Sequence, residues 1–302
     1  MKKLLLILLC LPVIGFGQWS SVGVIPNFSQ NQSVHLHNNN FMDFKINNST
    51  NELYLIHPNT NNEIYTYVNS NWSIVGDSGQ VITFDENNVL YKISLINLYE
   101  TQNSLPYGGL IQIHKYNNNT NWNIILIDTI YNHADGINTI NSSGIFIEDF
   151  VVKNNQFYFS ISDVISYPLS SRDEFIRVFN YNNILNLLTE YVSPGLLKRR
   201  YGTGSSSVQN SFSQSNVITE LDFDPNSGDL LICGQQINSN LSIENVVKRF
   251  DGNNWQTFGN IINLNNYVGS IVSDYASPID IETSVNGDLI LAFSMNKFGN
   301  GK

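Results

Sequence analysis

The 302-residue chain is predicted to be all-β, folded as a β-propeller of about five four-stranded blades. Three observations point there: a recurring aromatic, turn, Trp and Gly unit, five apolar hairpin signatures, and no stretch of helical periodicity. A six-bladed ring and an incomplete piece of a propeller stay open as alternatives.

The repeat unit carries the outer part of each blade. Ile64-Tyr65-Thr66-Tyr67, an Asn-rich turn, Trp72 and Gly76 make one copy. Val246 to Phe250, the turn Asp251-Gly252-Asn253-Asn254, Trp255 and Gly259 make another. A third, Ile111 to Tyr116 with Trp122, has Leu126 in the Gly position, and a fourth, Ile176 to Tyr181, lacks the Trp. The inner part is a hairpin of alternating apolar residues around a polar turn. It reads as Phe41 to Ile46 with Leu53 to Ile56, Val81 to Phe84 with Val89 to Ile93, and Phe150 to Val152 with Phe157 to Ile161. Leu221 to Phe223 with Leu230 to Cys233, and Ile279 to Ile281 with Leu289 to Phe293, complete the series. Asn286-Gly287 is the sharpest turn signal, because a type I′ turn needs positive φ at both centres.

Trp19, Trp72 and Trp122 follow one another at roughly fifty-residue steps, the length of a propeller blade. Trp122 to Trp255 takes two units with one degenerate Trp and an insertion, the Gly- and Ser-rich run Gly202 to Ser215. Trp19-Ser20-Ser21-Val22-Gly23 is the outer end of a unit placed before any whole unit, and the chain finishes after an inner hairpin. That circular offset predicts that the N-terminal strand completes the last blade and closes the ring, leaving no unpaired edge. Ser294 to Lys302 is short for a third strand, which keeps the incomplete ring in view.

The aromatic, turn, Trp and Gly of Phe250 to Gly259, together with Ser284-Val285-Asn286-Gly287-Asp288-Leu289, resemble secreted bacterial kelch-like or tachylectin-like β-propeller repeat proteins. The resemblance implies the fold over most of the chain and leaves the activity open.

Composition narrows the function classes. Hydrophobic residues at 42% are enough for a packed core, while charged residues are only 13%. Asn supplies surface polarity and turn formation, in runs such as Asn38 to Asn40 and Asn117 to Asn119. A net charge of −10 and a pI near 4.8 argue against nucleic acid, which demands clustered Lys and Arg. The dense basic run Lys198 to Arg200 reads as a solvated loop. Lys2 and Lys3, the apolar Leu4 to Ile14 and the small-residue site Gly15-Phe16-Gly17 read as a signal peptide over 1–17. Residues 18–302 are then the repeat domain, expected to be monomeric, without a membrane span, and secreted or held at the cell surface. Leu9 before Cys10 argues against lipidation, and Cys233 alone cannot form an internal disulfide.

Candidate chemistry is sparse. Trp19, Trp72, Trp122 and Trp255, with Gly23, Gly76 and Gly259, read as packing elements repeated from blade to blade rather than sugar platforms. Asp43, Asp222 and Asp280 read as occupying one place in three inner strands. Facing the channel they would suit a cation or sugar hydroxyls; otherwise they accept backbone hydrogen bonds, the reading that recurrence favours. Asp222 to Asp229 has oxygen ligands at alternating positions like a calcium loop but lacks a closing Glu, so a stiff turn explains it and calcium is the one cofactor with candidate ligands. His35 and His37 have no third metal ligand placed by sequence, and no metal site is expected. With no nucleophile elbow and no phosphate loop, the expected function is a non-catalytic binding module for carbohydrate or a cell-surface protein. The alternatives are a structural fragment of a larger surface protein, or a propeller glycoside hydrolase drawing on Asp43, Glu148, Asp149, Glu220, Asp222 and Asp280.

Overall fold

Asparagine and aspartate turn the chain back on itself. Asn51, Asn69, Asn88, Asn154, Asn155 and Asn186 all take positive φ, between 49° and 58°, a conformation Asn tolerates better than most residues. At the turn mouths, Asn47 Oδ1 accepts the N–H groups of Ser49 and Thr50, Asp85 Oδ1 those of Asn87 and Val89, and Asp251 Oδ1 those of Asn253 and Asn254. These side chains replace backbone partners that a tight turn cannot offer. The flanking apolar stretches therefore pair as antiparallel hairpins.

A computed structural model describes residues 43–297 except 58–61, 77–78, 100–105, 118–120, 132–144, 167–170, 203–218, 238–242, 260–273 and 284–287. The first sheet is β1 (Phe44–Asn47), β2 (Glu52–His57), β3 (Glu63–Val68) and β4 (Asn71–Gly76), paired in chain order. The second is β5 (Val81–Phe84), β6 (Leu90–Tyr99), β7 (Pro106–Asn117) and β8 (Asn121–Tyr131). The third is β9 (Ile145–Lys153), β10 (Gln156–Ser166), β11 (Ser171–Asn182) and β12 (Leu187–Glu190). A crossing strand, β13 (Leu197–Gly202), pairs with β11 and with the fourth sheet, whose strands are β14 (Leu221–Phe223), β15 (Leu230–Ile237), β16 (Ile243–Phe250) and β17 (Trp255–Thr257). β18 (Asp274–Thr283) and β19 (Leu289–Lys297) form a further antiparallel hairpin.

The innermost strands touch in succession, β1 against β5, β5 against β9, β9 against β14 and β14 against β18. Sheets that meet through their inner strands are blades about an axis, and the fold is a β-propeller. Apolar layers fill the gaps between blades. Tyr54, Ile56 and Ile64 of the first blade meet Ile82 and Leu90 of the second, and Tyr91, Ile93 and Ile113 of the second meet Phe150, Phe157 and Phe159 of the third. Ile176 and Val178 then meet Leu221 and Ile232, and Leu231 and Cys233 meet Ile281. Each such fully buried side chain stabilises by about 1.5–3 kcal/mol.

The repeated Trp is a joint between blades. Trp122 Nε1 donates to the Val75 carbonyl of the preceding blade at 3.0 Å, and Trp255 Nε1 to the Val192 carbonyl at 2.7 Å. Each indole leans on the aromatic opposite it, Tyr116 at 5.0 Å and Phe250 at 5.1 Å between ring centroids. Gly76 is the space that admits Trp122, since a Cβ there would overlap Nε1 and lie 2.9 Å from Cε2 of the indole. Where the Trp is missing, the Gly goes with it. Leu188 faces Tyr181 in the register that Trp122 holds against Tyr116, and it packs in the same cluster as Leu126, the residue at the Gly position of the blade before. Gly259 takes a φ of 75° with open space around it.

One expectation is corrected here. Lys198 to Arg200 lie in β13 rather than in a solvated loop, with Arg199 opposite Glu174 and Arg200 opposite Asp173. At Leu197 the strand also pairs with Gln235 of β15. The signal segment 1–17, Trp19, Gly23, His35, His37, the Asn286-Gly287 turn and all but Gly202 of the insertion lie outside the described residues. Among the described residues no helix is long and apolar enough to cross a membrane.

Candidate functional site

The site is set by where each inner strand begins. Phe44, Ile82, Phe150, Leu221 and Ile281 stand at corresponding places, two or three residues before the last pair of each hairpin, opposite Leu55, Lys92, Phe159, Ile232 and Leu291. The residue just before each is Asp43, Val81, Asp149, Glu220 and Asp280. Four of the five inner strands thus bring a carboxyl-bearing residue to one level of the axis. Asp149 and Asp280 each follow a bulge, where Glu148 and Ile279 are left without a partner in the ladder. Bulges bend a strand and re-aim the next side chain.

Two of these carboxylates make the same bond. Asp43 Oδ2 accepts the N–H of Ile82 at 2.8 Å, and Asp149 Oδ2 accepts the N–H of Leu221 at 2.6 Å. In each case the donor is the register residue of the next blade, so the carboxylate bridges two inner strands. The Asp149 bond lands one residue from Glu220, which holds that side chain's backbone beside Asp149.

Electrostatics distinguish these groups from surface acids. Burial pushes the Asp149 carboxyl up to about 6, against the pull of Lys45 and of the Leu221 and Phe150 N–H groups, and the charge of Asp43 adds to the rise. Burial also raises Asp43, opposed first by Lys45 and then by the N–H groups of Ile82 and Phe44. Asp43 and Lys45 of the first blade therefore act on Asp149 of the third. A carboxyl that titrates near neutrality can give and take protons under mild conditions, whereas an ordinary surface carboxylate is already ionised. Glu148 lies beside this level and its Oε1 accepts the Ser162 hydroxyl at 2.5 Å.

Asp222 does not share the place of Asp43. It pairs with Leu231 and holds the register of Lys45, which pairs with Tyr54, while Glu220 stands where Asp222 was expected. The calcium-loop reading is also used up internally. Asp224 Oδ1 accepts the Asn226 N–H at 2.9 Å and Oδ2 the Ser227 hydroxyl at 3.0 Å, and the first of these bonds is the main reason its carboxyl is held below the usual range. Among the described residues no three His, Cys, Asp or Glu side chains are grouped to hold a metal. Asp280 is placed by its strand alone.

No protein-family model matches the chain, and no curated protein matches it. Among solved structures, it is similar to a thermostable family-43 glycoside hydrolase with a TM-score of 0.43 at 11% identity, over 73% of this chain and 74% of that one. It is similar to an endo-arabinase from Bacteroides thetaiotaomicron with a TM-score of 0.39 at 11% identity, over 83% and 87%. A xylan β-1,4-xylosidase from Bacillus halodurans gives 0.33 at 12% identity, over 80% of this chain and 38% of that one. All three are glycoside hydrolases by name. The expectation of a non-catalytic binding module is corrected to that extent: the solved structures the chain is similar to are enzymes.

Proposed function

We propose that this chain is an exported glycoside hydrolase built as a ring of five blades, with β18 and β19 the inner hairpin of the fifth, and with its active site at the inner-strand level of Asp43, Asp149 and Glu220. The single observation that carries the proposal is that Asp43 and Asp149 make the same bridge to the N–H of the next inner strand, with the charges of Asp43 and Lys45 both acting on Asp149, whose carboxyl is pushed up to about 6. Glycoside hydrolysis needs one carboxyl that arrives protonated, to protonate the leaving oxygen, and one that is ionised, to activate water or attack carbon. Lys45 opposes the rise at both carboxyls, and with Asp149 as the acid the role of base or nucleophile falls to Asp43. Asp149, whose Oδ2 accepts the N–H of the residue after Glu220, supplies the proton.

The test is hydrolysis of a panel of arabino- and xylo-oligosaccharides, of the kinds named in the similar structures, by chain 18–302, with products resolved by chromatography. Release of shorter sugars that disappears in the Glu220→Gln variant supports the proposal. A wild-type chain that is folded and inert on the whole panel between pH 4 and 8 counts against it. The pH window matters, because activity that requires a proton on the Asp149 side is expected to fall as pH rises above about 6.

A further inference from the structure

The gap between the third and fourth blades is packed with apolar side chains, among them Ile176, Val178, Leu196, Leu221 and Ile232. Two hydroxyls are buried among them. Ser160 faces the gap from the third blade: it stands opposite Val178 in the ladder of β10 and β11, and Tyr158, two residues before it, meets Phe223 of the fourth blade at 5.3 Å between ring centroids. Thr219 faces it from the fourth blade. A Cβ on Gly234 would come 3.1 Å from its Cγ2 and 2.9 Å from Leu196 Cδ1, and Leu221, two residues on, packs in the same cluster. Both residues are 0% exposed, and neither Ser160 Oγ nor Thr219 Oγ1 has a hydrogen-bond partner in the protein.

Asp149 is engaged with the strands that carry both hydroxyls. Ser160 is its direct partner in the ladder of β9 and β10, which puts the two Cβ atoms about 4.5–5.5 Å apart on one face of the sheet. Thr219 lies two residues before Leu221, whose N–H donates to Asp149 Oδ2. Buried hydroxyls are paired as a rule, with protein or with ordered water, and Ser162 on the same face follows the rule by donating to Glu148 Oε1. A buried water needs about two to four polar partners, and Ser160 Oγ, Thr219 Oγ1 and the Asp149 carboxyl are of the right kind. We infer that an ordered water in this gap joins Ser160 Oγ and Thr219 Oγ1 to the Asp149 carboxyl, and that Ser160 and Thr219 are positioning residues for that carboxyl. By donating to the carboxylate the water favours its ionised form, against the effect of burial. That the positioned group is a catalytic acid rests on the hydrolase reading; the water does not.

The experiment follows the Asp149 carboxyl of chain 18–302 by carbon NMR between pH 4 and 8, assigned with Asp149→Asn, in the wild type, Thr219→Val, Thr219→Ser and Ser160→Ala, and melts each chain at pH 7. Thr219→Val keeps the shape of the side chain and removes its hydroxyl. The water requires the Asp149 midpoint to rise by at least about half a pH unit in Thr219→Val and in Ser160→Ala, to hold its wild-type value in Thr219→Ser, and the melting temperature of the first two to fall by about 1–2 °C. Dry hydroxyls give the opposite result, an unmoved midpoint and a higher melting temperature once an unpaired buried group is gone, and either reading overturns the inference. So does a Thr219→Ser chain that shifts as Thr219→Val does, because the change would then follow volume and not the hydroxyl. Should Thr219→Val fail to fold, Ser160→Ala, which removes a single oxygen, decides by the same two readings. Neither involves turnover, so a chain inert on every sugar would sink the hydrolase reading and leave the water in place.

Discussion

Asp149 carries two duties with one carboxyl. Its Oδ2 ties the third blade to the fourth through Leu221, and its burial holds a proton that an exposed aspartate would have lost. The consequence for stability has a definite sign. A carboxyl raised in the folded state favours folding most when it is protonated, so its contribution is fully present below about 4 and is lost as pH rises through about 6. Asp149→Asn keeps an acceptor for the Leu221 N–H and removes the titration. Between pH 4 and pH 8 the wild type is therefore expected to lose on the order of 2–3 kcal/mol of unfolding free energy relative to the variant, which urea melts at the two pH values measure. Parallel curves would show that Asp149 is ionised throughout. The acids themselves were legible in the sequence, since Asp43, Asp149 and Glu220 all precede an apolar inner strand. Their grouping was not. Met42-Asp43-Phe44 and Leu221-Asp222-Phe223 look alike, but the turn after the fourth inner strand spans 224–229 against 48–51 in the first, and the longer turn moves the register by two residues.

Elements of successive blades are matched to one another in pairs, and the pairing explains the degeneracy of the repeat. Trp122 needs Gly76 in the blade before it, while Leu188 tolerates Leu126 and Trp255 reaches the Val192 carbonyl with Ser193 after it. Gly76→Val is expected to destabilise by about 1–3 kcal/mol through overlap with the Trp122 indole. Adding Trp122→Leu should recover part of that loss, as Leu188 of the third blade already does beside Leu126 of the second, and a double-mutant cycle by chemical denaturation reads the coupling. Strictly additive losses would mean that the two residues do not meet. Strands and turns of this kind could be read in advance because Asn-rich turns and alternating apolar residues are local signals. β13 could not. Its ladder joins β11 to β15 across two blades, and neither partner is near it in sequence.

Across the whole molecule, blades packed in succession convert positions that are far apart in the chain into neighbours. The charge of Asp43 bears on the proton of Asp149 although a complete blade separates them in sequence. The propeller was recognisable from repetition alone; the grouping of its carboxylates was not, because they lie in no motif and only the packing of successive inner strands brings them to one level. The assignment of that assembly as an active site is tested most directly by kcat/KM on a cleaved oligosaccharide for Asp43→Asn, Asp149→Asn and Asp222→Asn, with folding of each verified by its melting curve. The first two are expected to fall at least about 100-fold, the scale of losing an acid or base, and Asp222→Asn to stay within about threefold of wild type. Equal activity in all three chains would contradict the account.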